Sequence, residues 1–122
     1  MKNNFKIFIP GNVPSSKNSK IWTGKFLISS KATRAWQKET EDYWELLKED
    51  FISHLKDKPY KIGFKFIRNS RHKFDYVNPL QTIQDAMVKH GWLEDDNADE
   101  LLPVLEPYEY DKSCPGVEII IY

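Results

Sequence analysis

The chain has 122 residues, which is the size of one domain and leaves no room for a large two-domain enzyme. With 40% hydrophobic and 30% charged residues it is too apolar for a disordered chain and too charged for a membrane protein, which favours a soluble globular domain. The 18 basic and 18 acidic side chains cancel. They are unevenly spread, because residues 1–74 carry 16 basic against 7 acidic side chains and residues 75–122 carry 2 against 11. The split predicts a basic surface beside an acidic site, although two solvated faces would also produce it.

The single cysteine, Cys114, excludes an intramolecular disulfide and fits a reducing compartment. The first eight residues lack the continuous apolar stretch of a signal peptide or a membrane span. We therefore expect a cytoplasmic protein without a membrane partner.

The first elements in chain order are a strand, a polar loop and a hairpin. Phe5, Ile7 and Ile9 alternate with other residues as in a strand, which ends at Pro10-Gly11. The loop from Gly11 to Lys20 is rich in hydroxyl, amide and amine groups that can donate to phosphate oxygens, and ordinary turn chemistry explains the same residues equally well. Short apolar runs on both sides of Thr23-Gly24 predict a hairpin.

Spacings of three and four residues then predict a long helix over Lys31 to Leu55. Its expected buried face consists of Trp36, Thr40, Tyr43, Leu47 and Phe51. A second strand, from Ile62 to Phe66, runs into a basic loop that ends at Lys73.

A short helix is predicted from Pro79 to His90, with Asn78 as its N-cap and Gly91 as its stop. Leu80, Ile83 and Met87 would face the core, and the opposite polar face would carry Asn78, Thr82, Asp85 and Lys89.

Two more strands, Leu101–Leu105 and Val117–Tyr122, complete the pattern, and Pro103 places the first of them at a sheet edge. The predicted fold class is therefore α+β: residues 1–122 form one domain in which a small mixed sheet packs against one long and one short helix.

One group of residues indicates chemistry: Asp75 after the basic loop, Asn78 and Asp85 on the short helix, and Asp95-Asp96 just past its end. Carboxylates that gather closely repel one another unless a cation lies between them, and Mg²⁺ or Mn²⁺ bound by carboxylates suits phosphodiester hydrolysis. The alternative is structural: Asp75 and Asp95 cap or solvate the chain, and Asp85 pairs with Lys89.

A calcium-binding helix-loop-helix loop is the competing interpretation of the acidic stretch. Asp95, Asn97, Asp99 and Glu106 have its spacing. Glu100 occupies the position that requires glycine, and Pro103 opposes the second helix, so we reject this interpretation.

The run Lys73-Phe74-Asp75-Tyr76-Val77-Asn78, then Asp85-Ala86-Met87, then Gly91-Trp92-Leu93-Glu94-Asp95-Asp96, resembles the signature of RusA-type Holliday junction resolvases. In that family a D-x-D-N segment precedes an Asp-containing helix and a Gly-x-x-x-Asp-Asp ending. The resemblance is specific over this central stretch and weaker elsewhere. It implies a RusA-like α+β homodimer that binds four-way DNA junctions and cuts them symmetrically with carboxylate-bound Mg²⁺ (or Mn²⁺), in a bacterial cell or encoded by a phage or prophage.

The resemblance also assigns residues. It implies catalytic roles for Asp75 and Asp96 in a metal site that includes Asp85 and Asp95, with Asn78 as the accompanying amide. Two positions depart from the family: Val77 replaces the second aspartate, and Gln81 replaces a lysine for which Lys89 could substitute. The expected DNA contacts are Lys17, Asn18, Lys20, Lys25, Arg68, Arg71 and Lys73.

Three hypotheses about the function are therefore consistent with the sequence. The first is a metal-dependent endonuclease that cleaves branched DNA during recombination and repair. The second is a branched-DNA-binding dimer that has lost full metal-site chemistry through Val77 and Gln81. The third is a structural or regulatory dimer that does not bind nucleic acid.

Overall fold

A mixed β-sheet with two α-helices packed against it organises the chain, as the sequence predicts. The computed structural model describes residues 4–15, 20–22, 24 and 27–122, and only the backbone of the strand residues between 20 and 29. In chain order the elements are β1 (Phe5–Pro10), β2 (Lys20–Trp22), β3 (Leu27–Ser29), α1 (Lys31–Ser53), β4 (Tyr60–Arg68), α2 (Val77–Lys89), β5 (Leu101–Leu105), β6 (Glu109–Tyr110) and β7 (Gly116–Ile121).

The main sheet has the strand order β1-β7-β4-β5. β7 is antiparallel to both β1 and β4, whereas β5 and the short β6 run parallel to β4. A parallel neighbour requires a crossover, and α2 supplies it between β4 and β5. β4 ends and α2 begins on either side of residues 69–76, the connection that carries the basic loop and Asp75.

The core lies between the sheet and the helices. Alternating residues of β1, β4 and β7 face it, including Ile9, Phe64 and Ile119, which are fully buried. From the helices, Trp44, Phe51, Ile83 and Met87 complete the cluster. Among the described residues neither helix is both long and apolar enough to cross a bilayer.

Helix α1 begins and ends close to the predicted bounds. Ser30 caps it, and its side chain accepts a hydrogen bond from the backbone N–H of Thr33 at 3.2 Å. The predicted buried face is wrong at Tyr43, which is 39% exposed, because the fully buried residue is Trp44. The inward stripe runs 36, 40, 44, 51, and Trp44 donates its indole N–H to Thr40 Oγ1 at 3.0 Å.

Helix α2 begins two residues earlier than predicted. Its N-cap is Tyr76, without a side-chain capping bond, so Asn78 lies inside the first turn and is not the cap. The predicted stop is confirmed: Gly91 has φ +77°, its N–H donates to Val88 O, and the N–H of Trp92 donates to Met87 O. These two bonds form a Schellman motif.

The hairpin and the edge strand are also confirmed. β2 and β3 pair antiparallel on either side of the predicted turn. β5 lies at the edge of the main sheet. Pro103 has no N–H to donate, and it is tolerated there because no further strand in the order β1-β7-β4-β5 pairs with the outer side of β5. The strand β6 was not predicted, because two residues, Glu109 and Tyr110, are too short a run to show a period.

Candidate functional site

The end of strand β4 is held by a buried arginine. Arg68 is only 5% exposed, and its guanidinium donates to Val13 O at 3.1 Å and to Ser15 Oγ at 2.8 Å. One residue later the backbone N–H of Asn69 donates to Asn12 Oδ1 at 3.0 Å. The loop after β1 is therefore fastened to the start of the basic loop, although the two are more than fifty residues apart in sequence.

An aromatic cluster continues from this point. The Arg68 guanidinium lies 4.3 Å from the centroid of the Phe74 ring, and burial lowers the pKa of this guanidinium. Phe74 contacts Tyr76 and Tyr108 edge-on, with ring centroids 5.3 and 5.1 Å apart. The Tyr76 hydroxyl accepts a hydrogen bond from the backbone N–H of Tyr108 at 2.9 Å. These contacts fix the backbone on both sides of Asp75.

A cavity of about 590 Å³ opens above this cluster, at the N-terminal end of α2. Its lining combines cationic, carboxylate, amide and aromatic groups, and consists of Ser15, Arg71, His72, Lys73, Phe74, Asp75, Tyr76, Asn78 and Tyr108. The last basic residues of the N-terminal segment and the first acidic residue of the C-terminal segment thus line the same cavity. Cations beside a carboxylate and a π-surface can hold a phosphodiester backbone and an aromatic base.

The other predicted carboxylates lie along α2 and in the loop that follows it. Gln81 donates its amide to Asp85 Oδ1 at 2.7 Å, and Gln84 donates its amide to Asp96 Oδ2 at 3.2 Å. Both aspartates therefore accept from glutamines of the same helix. Neither is among the residues that line the cavity with Asp75.

Asp95 has a local role in the structure. Its Oδ1 accepts the backbone N–H of Asp96 at 2.7 Å, and its Oδ2 accepts the side-chain amide of Asn97 at 3.1 Å. Both oxygens thus stabilise the turn that carries Asp96.

Trp92 fixes the position of this turn. Its indole N–H donates to Trp44 O at 2.8 Å, and its ring packs on Phe51 with centroids 4.5 Å apart. Because Trp92 and its neighbour Leu93 are buried, the acidic residues that follow are presented at the surface from a rigid anchor.

The fit of a divalent cation can be judged from these donors. Within residues 4–15, 20–22, 24 and 27–122, no group of three or more His, Cys, Asp or Glu side chains is arranged to hold a metal ion. Mg²⁺ needs less, because it binds through one or two carboxylates and retains several waters. Asp75 with Asn78 in the cavity, or Asp96 beside α2, fits such a water-rich site and not a closed protein cage.

The predicted DNA contacts fall into three sets. Arg71 and Lys73 are exposed and line the cavity, and the Arg71 guanidinium lies 4.4 Å from the centroid of the Tyr110 ring. Arg68 is committed to backbone and hydroxyl groups inside the protein, so the geometry favours a structural role for it. Lys20 begins β2, whereas Lys17, Asn18 and Lys25 lie outside the described residues. Lys89 is exposed in the last turn of α2, at the opposite end from the cavity.

Sequence reasoning missed three residues of this region. Tyr108 reaches the cavity from the β5–β6 connection, and no local pattern indicates this. Gln84 is buried on α2 and donates to Asp96. Its position next to Ile83, on the apolar face of the helix, is the signal in the sequence, because a buried polar side chain requires a hydrogen-bond partner. Ser15 belongs to the loop that was singled out, but its partner Arg68 could not be inferred.

Comparison of the sequence with known proteins identifies no family for the chain. No family model matches the chain, and no curated protein sequence matches it.

Proposed function

We propose that the protein is a metal-dependent endodeoxyribonuclease that binds four-way DNA junctions and cuts them symmetrically, as RusA-type resolvases do. The observation that carries the proposal is the cavity of about 590 Å³, whose lining includes Arg71, Lys73, Asp75 and Asn78. A phosphodiesterase needs cations that attract the polyanion and a carboxylate that holds a divalent ion, and this site offers both.

In this proposal Asp75, which lines the cavity, and Asp96, beside α2, would each bind Mg²⁺ or Mn²⁺ with several water ligands, and Asp85 and Asp95 would contribute negative charge without closing a protein cage around the ion. The bound ion would polarise the phosphodiester and lower the pKa of a water. The protein's own contribution is positional: Gln84 and Gln81 keep two carboxylates oriented by amide donors, and the aromatic cluster fixes Asp75.

The remaining parts of the proposal concern assembly and location. Two coordinated incisions at a junction require two equivalent sites, which a twofold-symmetric homodimer would supply. We place the protein in the cytoplasm of a bacterium, encoded by the cell or by a phage, where recombination and repair produce branched DNA.

The test is cleavage of an end-labelled four-way junction with Mg²⁺ or Mn²⁺. We expect paired nicks from the unmodified protein, and junction binding without nicks from Asp75→Asn and Asp96→Asn, because the amide lacks the negative charge that holds the ion. Asp57→Asn is the matched control, since Asp57 is exposed and precedes β4, whereas Asp75 follows it. Equal cleavage by all three variants would refute the assigned site.

A second candidate is a non-catalytic branched-DNA-binding dimer. It is favoured by the bond between Gln81 and Asp85, which places a neutral amide where the family pattern has a cation. This candidate predicts salt-sensitive junction binding that does not depend on divalent metal. Any metal-stimulated nick that is lost in Asp75→Asn excludes it.

A further inference from the structure

A groove on the outward face of α1 is lined by two apolar and four polar residues. It has a volume of about 660 Å³ and is lined by Glu45, Leu46, Lys48, Glu49, Ile52 and Ser53. Leu46 is 77% exposed and Ile52 is 42% exposed, whereas the inward stripe of the same helix is buried. A partner that entered the groove could cover both apolar side chains.

The charge around the groove selects the kind of partner. From Glu39 to Asp50 the helix carries one lysine, Lys48, which lines the groove, against six exposed carboxylates: Glu39, Glu41, Asp42, Glu45, Glu49 and Asp50. Within the part of the chain that the structure describes, none of them forms an ion pair with lysine or arginine; Glu45 and Asp50 instead contact His90 and His54. This surface repels nucleic acid and attracts a cationic ligand.

The position of the groove keeps it separate from the proposed DNA site. Glu45 contacts His90 at 3.1 Å, so the groove adjoins the C-terminal end of α2. The cavity adjoins the N-terminal end, and the 13 residues of α2 span about 20 Å. A ligand in the groove would leave the cavity open.

We propose that this α1 groove binds a basic amphipathic helix of a protein partner. Its apolar side chains would cover Leu46 and Ile52, and its lysines or arginines would pair with Glu45, Glu49 and the neighbouring carboxylates. A second copy of the chain is a different occupant, and the sedimentation measurement described below distinguishes it from a helical partner. The inference does not depend on the proposed nuclease activity.

The test uses a fluorescein-labelled helical peptide of about 18 leucine and lysine residues with amphipathic spacing, and fluorescence anisotropy as the readout. We expect saturable 1:1 binding that weakens at least about tenfold in Leu46→Ser and in the double variant Glu45→Gln/Glu49→Gln. The control Leu102→Ser makes the same change at a residue that is 51% exposed on β5, and should bind as the unmodified protein does.

Three outcomes would overturn the inference. One is equal peptide affinity in Leu46→Ser and Leu102→Ser. Another is equal binding of a peptide in which glutamate replaces every lysine. The third is a protein dimer, seen by sedimentation, that Leu46→Ser dissociates, because the groove would then receive a second copy of the chain.

Discussion

At the scale of single residues, Arg68 and Arg71 are expected to have different roles. Arg68 would stabilise the fold, and Arg71 would contact DNA. Both guanidinium groups lie over aromatic rings, Arg68 on Phe74 and Arg71 on Tyr110. Arg68 also makes two hydrogen bonds inside the protein and is buried. We expect Arg68→Ala to lower the free energy of unfolding by about 2–4 kcal/mol, because two charge-assisted bonds and a buried contact are lost.

Arg71→Ala is the paired variant. Arg71 is exposed, so its loss should lower the free energy of unfolding by less than about 1 kcal/mol while weakening junction binding and reducing its salt dependence. Urea denaturation and binding at several salt concentrations measure both quantities. If Arg71→Ala unfolds the protein as readily as Arg68→Ala, the division of roles is wrong.

The same pair shows what a sequence can indicate at this scale. A basic loop predicts cations near phosphate, and Arg71 and Lys73 are indeed exposed at the cavity. Burial of Arg68 could not be inferred, because it depends on Val13 and Ser15, which only the folded sheet brings within reach. Long-range partners of this kind leave no local period in the sequence.

At the scale of elements, helix α2 has an exposed apolar residue in its first turn. Val77 is 64% exposed there, and no acidic residue occupies that turn. Val77→Asp should raise the free energy of unfolding by about 0.3–1 kcal/mol, because a carboxylate interacts favourably with the helix N-terminus. If Asp75 lies in a metal site, the gain should increase when Mg²⁺ is added, since the ion binds the folded state and relieves repulsion between two nearby carboxylates.

Val77→Asn is the control for that variant. Asparagine has nearly the same shape as aspartate but no charge, so it should show neither the full gain nor the response to Mg²⁺. Thermal unfolding with and without Mg²⁺ measures both. Identical behaviour of the two variants would mean that charge at this turn has no effect.

Element boundaries were predictable where local chemistry sets them. Ser30 and Gly91 are local signals, and they mark the start of α1 and the stop of α2. The start of α2 was misplaced because Asn78-Pro79 has the sequence of a cap, while the contacts of Tyr76 with Phe74 and Tyr108 extend the helix backwards. Tertiary packing there outweighs the capping preference.

At the scale of the whole molecule, the charge split does not map onto two halves of the surface. Six of the seven acidic residues in the basic segment are the exposed carboxylates of α1 from Glu39 to Asp50. The basic loop meets the acidic segment at the cavity instead. A zero net charge therefore conceals two different surfaces. One is acidic and lies on α1, and the other, beside Asp75, combines cations with a carboxylate.

The stability of the folded protein should also depend on alkaline pH through Tyr122, which follows β7. Tyr122 lies over Gly63 of β4, where an added Cβ would meet Tyr122 Cε2 at 2.6 Å, and its hydroxyl donates to Glu106 just past the end of β5. This hydrogen bond, together with burial and the negative charge of Glu106, raises the pKa of Tyr122 to about 12. The hydroxyl thus links the ends of β7 and β5 across β4. Its pKa is therefore raised only in the folded protein, where Glu106 is within reach.

The sign of the effect follows from the raised pKa. Below pH 10 both the folded and the unfolded chain keep the proton, so the contribution of Tyr122 to stability is fully present. Between pH 10 and about 12 the unfolded chain releases the proton while the folded chain retains it, so the free energy of unfolding falls as pH rises. The difference in stability between the unmodified protein and Tyr122→Phe should therefore shrink from about pH 10 to about pH 12 in urea titrations. Tyr43→Phe, at an exposed position on α1, controls for general tyrosine ionisation, and a pH-independent difference for Tyr122→Phe would contradict the link between Tyr122 and Glu106.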